Sequence, residues 1–189
     1  MIKELALKNR SYRRFYQDVT IERDLLIKLV DIARVSASIG NMQPLKYILS
    51  SNREKNALIF PNLGWAKYLK DWRGPVEGER PVAYIIILGD NEITETVVCD
   101  YAIAAQSIML GVVEAGFGGC MIASVNKKGL HEALNIPSRY EILLVLALGK
   151  PKETVMIENM SKYGDCKYWR DNDSKHHVPK RLLDDIIIG

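Results

Sequence analysis

Apolar and polar positions repeat along the chain in two rhythms, one helical and one extended, and these set the expected elements. Over residues 20–37, Leu25, Leu26, Leu29, Val30, Ile32 and Ala33 recur at helical spacing and give the first clear amphipathic helix. Thr20 is placed to cap it, and Glu22 and Asp24 sit in the first turn, where the helix dipole favours acids. Gly40 and Pro44 bracket a turn, residues 45–50 (LKYILS) read as a short strand, and residues 54–60 read as a short helix. Residues 81–90 (PVAYIIILGD) form an almost unbroken apolar run of strand length, which suits a central strand covered on both faces. Residues 94–115 carry the longest helical pattern, with Ala102, Ala104, Ala105, Ser107 and Gly111 among larger residues. Small side chains let a second helix approach closely, so this helix is expected at the centre of the fold or at a subunit interface. Gly116, Gly118 and Gly119 end it. Residues 120–124 (CMIAS) then read as a short buried strand, Asn126 as the cap of a helix through Leu134, and residues 142–149 (ILLVLALG) as the last apolar strand. From Lys150 the chain is polar and irregular, closing with LLDDIII, expected as an edge strand or as an arm around a partner chain.

Residues 61–80 place Trp65, Tyr68 and Trp72 among glycine and proline breakers. The stretch is too long and too aromatic for a simple connector and is expected to be a functional loop or lid. The sum is an α+β protein, a small buried sheet with long helices against it, in a single domain over residues 1–189. The alternation of helices and strands also hints at a doubly wound sheet. No G-x-G-x-x-G follows an early strand, however, which disfavours a nicotinamide-binding Rossmann domain.

Composition narrows the function classes. A chain of 189 residues with 48% apolar and 26% charged residues has the balance of a soluble globular domain with a substantial core. No apolar run approaches the roughly 20 residues a bilayer span needs, and the start has no signal-peptide pattern, so a cytoplasmic location without membrane partners is expected. Cys99, Cys120 and Cys166 are far apart and form no C-x-x-C pair, which points to reduced thiols rather than disulfides or structural zinc. The net charge is only +3, with small basic knots at 10–14 and 175–181. A nucleic-acid binder carries a more contiguous basic footprint, so these knots suit a phosphate on a small ligand better than a polymer.

Four segments carry residue types with usable chemistry. N-R-S-Y-R-R-F (9–15) offers Arg10, Ser11 and Arg13, guanidinium forks and a hydroxyl that match phosphate oxygens, or else an exposed basic turn. S-I-G-N-M-Q-P (38–44) offers the Asn41 and Gln43 amides, donor and acceptor at once like a flavin or pyrimidine edge, or else a helix stop. G-F-G-G-C-M-I-A-S (116–124) brings backbone close to a flat ligand, or simply ends a helix. In K-H-H-V-P-K-R (175–181), Lys180 and Arg181 could serve the same phosphate as the N-terminal arginines. The two adjacent histidines point apart on a strand, so no metal site is expected there. No hydrolase motif or carboxylate pair is present.

Taken in order, these segments resemble the nitroreductase family from end to end. The resemblance rests on R-S-x-R-x-F (Arg10, Ser11, Arg13, Phe15), N-x-Q-P (Asn41, Gln43, Pro44) and D-x-x-x-A-x-Q (Asp100, Ala104, Gln106). G-x-G-G-C, L-x-L-G-x-P (146–151) and a basic K-R before L-D-D-I follow in place. It implies a three-layer α+β sandwich, a small central mixed sheet flanked by helices, in an intertwined homodimer with FMN at the interface. It also implies an enzyme that passes hydride from NADH or NADPH through flavin N5 to small acceptors such as nitroaromatics or quinones, by a ping-pong mechanism and without a catalytic acid or base. Flavin reduction, dehalogenation, dehydrogenation of a small metabolite, or non-catalytic FMN binding on the same fold are the alternatives. Position by position, Arg10, Ser11, Lys180 and Arg181 would hold the phosphate, and Arg13 would lie near N1 and O2 of the ring. Ala37, Ser38, Ile39, Asn41 and Gln43 would come from the partner subunit, and Ile122, Ala123 and Ser124 would cover one ring face. Asn9 stands where many relatives carry an arginine, and Ala123 and Ser124 where many carry an acid and a glycine.

Overall fold

The computed structural model describes residues 1–161 and 163–189. Its central strand is β3 (Ala83–Asp90), buried at every position. β3 pairs antiparallel with β2 (Leu45–Ser50) on one side and with β5 (Tyr140–Pro151) on the other. The far edge of β5 takes β4 (Gly118–Ile122), and the two-residue β1 (Phe15–Tyr16) pairs with the end of β5 at Lys150 and Pro151, both antiparallel. Antiparallel ladders need no crossover helices, and they correct the hint of a doubly wound parallel sheet. Parallel pairing enters this sheet at the bridge between Ser11 and Gly119, which makes it mixed.

The apolar run of β3 is explained by its two coats. Ile85 and Ile87, with Leu144, Leu146 and Leu148 of β5, pack against α2 (Arg23–Arg34) and α4 (Asp100–Glu114). Tyr84, Ile86 and Leu88, with Val145 and Ala147, face the other way, toward Ile59 of α3 (Arg53–Ile59) and Leu130 of α5 (Lys127–Leu134). Two helical layers therefore enclose one sheet. The β3–β5 register skips Leu143 between the pairs Ile87–Leu144 and Leu88–Ile142. That bulge adds one residue, so Ile142 lands on the second face although it lies two positions from Leu144.

Several expected boundaries move. α2 begins at Arg23 with Glu22 in the cap position, while Thr20 only reaches the Glu22 carboxylate at 3.4 Å. Ile21 is buried in the first core, and the chain stays extended to seat it. α4 begins at Asp100 rather than residue 94, after a stretch of turns anchored by N–H bonds from Ile93 and Thr94 to the Asp90 carbonyl. Its small residues do admit a close neighbour. A Cβ on Gly111 would lie 2.7 Å from Ile32 Cδ1 and 2.9 Å from Leu29 Cδ2 of α2. The Asn126 cap is as expected, its side chain accepting from Gly129 N–H at 3.1 Å.

Both ends of the chain hold structure that the hydrophobic pattern missed. α1 (Ile2–Lys8) precedes the basic N-terminal segment. After β5 the chain is not irregular but forms β6 (Val155–Met160), β7 (Trp169–Arg170) and β8 (His176–Arg181). These make a second sheet of order β6-β8-β7, parallel between β6 and β8 and antiparallel between β7 and β8. The closing LLDDIII forms no edge strand. Leu183–Asp185 is one 3-10 turn, and Ile186, Ile187 and Ile188 are exposed. Cys99, Cys120 and Cys166 are unpaired, and no described helix is long and apolar enough to cross a membrane.

Candidate functional site

Residues 9–15 run along the main sheet, with a tight turn at Ser11 where Tyr12 N–H bonds the Arg10 carbonyl at 2.9 Å, and are pinned by their backbone. Tyr12 N–H donates to the Gly119 carbonyl at 2.9 Å, Arg13 N–H donates to the Glu153 carboxylate, and the Arg14 carbonyl accepts from Lys152 N–H at 2.9 Å. Extended backbone sends alternate side chains to opposite sides. Tyr12 lies over Gly118, where a Cβ would be 2.6 Å from its ring. Arg14 forks onto Glu79 at 2.6 and 2.7 Å. Ser11 and Arg13 turn the other way, into a cavity of about 280 Å³ that Arg10 also lines.

The rest of that cavity comes from distant parts of the chain. β8 contributes His176, Val178 and Lys180, every second residue of one strand face. Arg181, next along, is not among the lining residues. α4 gives Gln106 and Met109, β4 gives Gly119 and Met121, and Tyr168 closes one side. Among the described lining residues there are three permanent cations, Arg10, Arg13 and Lys180, and no carboxylate. Glu153 lies nearby with its side chain 1% exposed, but it is committed to Arg13 N–H and to Arg170 at 2.9 Å. Arg10 Nη2 donates to the Ala6 carbonyl at 2.6 Å, and its buried Nε has no partner among the described residues. Arg13 lies over the Tyr168 ring, 5.0 Å from its centroid, and its Nη1 is 3.3 Å from His176 Nε2.

The two histidines face apart, as strand geometry requires. His176 is 1% exposed, and burial, assisted by Arg13, Arg170 and His177, pushes its pKa down to about 4. His177 meets Glu158 at 2.7 Å and Asp171 at 3.1 Å on the other face, and those carboxylates raise its pKa. Among the described residues, no group of three or more His, Cys, Asp or Glu is placed to hold a metal ion.

The second segment folds around one buried acid. Asp100, the first residue of α4, accepts from Ser38 Oγ and from Ile39 N–H at 3.2 Å, and Ser38 Oγ in turn accepts from Gln43 N–H at 2.9 Å. This network supports a tight loop in which Gly40, Asn41 and Gln43 take φ of +55°, +54° and +49°. Left-handed backbone is costly for residues with a side chain, so the hydrogen bonds hold it in place. The Gln43 amide donates to the Asn41 carbonyl and side-chain oxygens, both at 3.2 Å. Ala37, Ser38 and Gln43 line a different depression, of about 390 Å³, together with Tyr47, Asp100 and Ala104. Ile39 and Asn41 are exposed beside it.

The two sets do not meet within one chain. Asp100 and Ala104 of α4 line the second depression, while Gln106 and Met109 line the basic cavity. At 100° per residue, Ala104 and Gln106 stand about 200° apart around the helix, and Asp100 and Met109 about 180°. α4 therefore stands between them.

The third segment is shaped mainly by packing. Gly116 has φ +81° and stops α4, while a Cβ on Gly119 would lie 2.5 Å from the Ala147 carbonyl oxygen. Ile122 is buried in the second core, whereas Ala123 and Ser124 are exposed, and none of the three is among the residues that line the basic cavity. The Ser124 carbonyl accepts from Gly64 N–H at 2.7 Å, joining this segment to the aromatic stretch 61–80. That stretch straps the C-terminal sheet. Tyr68 packs on Tyr168 with ring centroids 5.0 Å apart, and Arg170 lies 4.8 Å from the Trp72 ring centroid.

Tyr168, His176, Val178, Gln106, Met109 and Met121 join the site without having been singled out by residue chemistry. The spacing His176, Val178, Lys180 was the available signal, a period of two that marks a strand face around a basic residue already noted.

Comparison with known proteins assigns the family. The description "Nitroreductase family" matches residues 6–150. The "Putative NADH dehydrogenase/NAD(P)H nitroreductase" of Methanothermobacter thermautotrophicus is 28% identical over 154 residues, covering 78% of this chain and 76% of that one. A nitroreductase family protein of Clostridium novyi NT is 27% identical, with a TM-score of 0.65 over 80% of this chain and 87% of its own. The Nitroreductase Family Protein of Streptococcus pneumoniae TIGR4 shares the fold over 100% of both chains, with a TM-score of 0.72 at 16% identity. An antiparallel-laddered sheet between two helical layers, with the basic N-terminal segment docked on its edge, is thus one example of a known architecture, and the chain belongs to the nitroreductase family of oxidoreductases.

Proposed function

We propose that the chain is an FMN-dependent oxidoreductase, working as a homodimer, that moves reducing equivalents from NADH or NADPH to small acceptors such as nitroaromatics or quinones. The observation that carries this reading is the basic cavity, three cations without a carboxylate and a buried Arg10 Nε lacking a partner among the described residues. A buried guanidinium donor with nothing to bond is unfavourable, and a phosphate oxygen is the acceptor its charge calls for. The residues therefore fit the phosphate end of FMN. Arg10, Ser11 and Lys180 would bind it, with Arg181 at the end of the same strand. A space of about 280 Å³ lies at the small end for a cofactor site, so it suits part of the molecule rather than the whole.

The other half of the site supports a second copy. Ala37, Ser38, Ile39, Asn41 and Gln43 lie across α4 from this cavity, so one chain cannot bring both sets onto one ligand. A partner subunit would supply them, and the exposed Ala123 and Ser124, beyond Ile122 of β4, would cover a ring that extends past the basic cavity. Bound FMN supplies two-electron chemistry at ring N5. Arg13 would place positive charge beside the ring, where reduction adds negative charge, and so favour the reduced form. No side chain is assigned a proton transfer. Donor and acceptor would use one site in turn, which gives parallel double-reciprocal lines.

The test is direct. The purified chain, reconstituted with FMN, is expected to be yellow and dimeric, with one FMN per chain, and to bleach anaerobically with NADH or NADPH. A chain that stays colourless with excess FMN overturns the reading, and one that binds FMN without bleaching leaves only a flavin carrier.

A further inference from the structure

We propose that His176 is a positioning residue for Arg13, its ring carrying a single proton, at Nδ1, so that Nε2 accepts from the guanidinium. A guanidinium has five donors and no acceptor, so a ring nitrogen 3.3 Å from Arg13 Nη1 forms a bond only if it offers a lone pair. That assigns the proton to Nδ1, which is buried and has no hydrogen-bond partner among the described residues. The ring has little freedom to do otherwise. His176 is almost fully buried, its N–H bonds the Thr154 carbonyl at 2.9 Å, and β8 is paired on both sides at this position. Tyr168 bridges the pair, with its ring centroid 5.0 Å from the His176 ring and 5.0 Å from Arg13 Cζ. The low pKa of His176, set first by burial and then by Arg13, keeps the acceptor form populated at neutral pH. Arg13 Nη1 also donates to the Ser11 carbonyl at 3.2 Å. Two acceptors and one ring face thus fix the guanidinium, which also lies beside the Cys120 thiol. Only the use made of the guanidinium rests on the FMN reading.

The test uses nitrogen NMR of the full chain, before and after FMN is added. Without FMN, His176 is expected as the Nδ1-protonated tautomer, and Arg13 is expected to show slowly exchanging Nη protons, identified by their loss in Arg13→Lys. His176→Leu should remove those Arg13 signals and weaken FMN binding about tenfold, and His176→Gln, whose amide oxygen can accept, should restore most of both. An Nε2-protonated ring in the unaltered protein overturns the proposal, whether or not the Leu variant folds. So do Arg13 signals that survive in His176→Leu. A chain with the expected tautomer that never binds FMN overturns the functional reading instead.

Discussion

Glu79 ties the N-terminal segment to the body of the protein, and its removal gives a prediction with a defined pH dependence. Its side chain is 13% exposed and accepts both nitrogens of the Arg14 fork, with Lys152 at 3.0 Å. The Arg14 hydrogen bond is the largest cause that lowers its pKa from 4.5 to about 2, against an opposing effect of burial and with help from Lys152. A shift of this size corresponds to an upper bound of roughly 3 kcal/mol at 1.36 kcal/mol per unit. Arg14 and Lys152 are 24% and 38% exposed, so solvent screening reduces the expectation to about 1–2 kcal/mol. A carboxylate with a depressed folded-state pKa stabilises fully above its unfolded value of 4.5, and the contribution fades as pH falls toward 2. Glu79→Gln keeps the shape and removes the charge. Urea unfolding at fixed protein and FMN concentrations, stepped from about pH 7 to about pH 2, should show the variant less stable by ~1–2 kcal/mol near neutrality. The two proteins should converge in acid. A difference that stays constant with pH, or a wild-type advantage that grows in acid, refutes the reasoning.

Three further outcomes follow from other contacts. Asp100→Ala leaves the Ser38 hydroxyl and Ile39 N–H without their acceptor, so it should cost about 2 kcal/mol in thermal unfolding and hasten proteolytic cleavage within residues 38–43. Gly119→Ala sets a Cβ 2.5 Å from the Ala147 carbonyl oxygen, so β4 must move off β5. A loss of about 1–3 kcal/mol is expected by denaturant titration, and an unchanged midpoint would refute the close approach. Lys180→Ala should raise the FMN dissociation constant about tenfold or more and flatten its salt dependence, whereas Arg181→Ala, off the cavity face, should do markedly less by the same fluorescence titration.

The legibility of this sequence follows the strength of its hydrophobic contrast. β3 and the middle of β5 were evident because both faces are buried, and an uninterrupted run such as YIIIL has few other uses. Asn126 and Gly116 announced a helix start and stop because each satisfies a local backbone requirement. The start of α4 was misplaced because residues 94–99 alternate compatibly with a helix, while the buried bonds from Ser38 and Ile39 that fix Asp100 come from far along the chain. The second sheet was missed because β8 is largely polar and the apolar residues of β6 do not alternate with polar ones, so neither strand shows a clear hydrophobic face. Of the candidate site, Arg10, Ser11, Arg13 and Lys180 were found by chemistry and do share one cavity. Tyr168 and His176 were not, because neither residue type signals an arginine neighbour until the fold sets it there.

The three cations of the basic cavity come from segments far apart in sequence, Arg10 and Arg13 before the main sheet and Lys180 after it. During synthesis, both apolar cores can close once β5 has emerged, while β8 is still unmade. The pocket is therefore completed after the cores, and it depends on contacts far apart in sequence. A chain cut between Pro151 and Tyr168 would keep the residues of both cores and lose Tyr168, His176, Val178 and Lys180, the wall that faces Arg10 and Arg13.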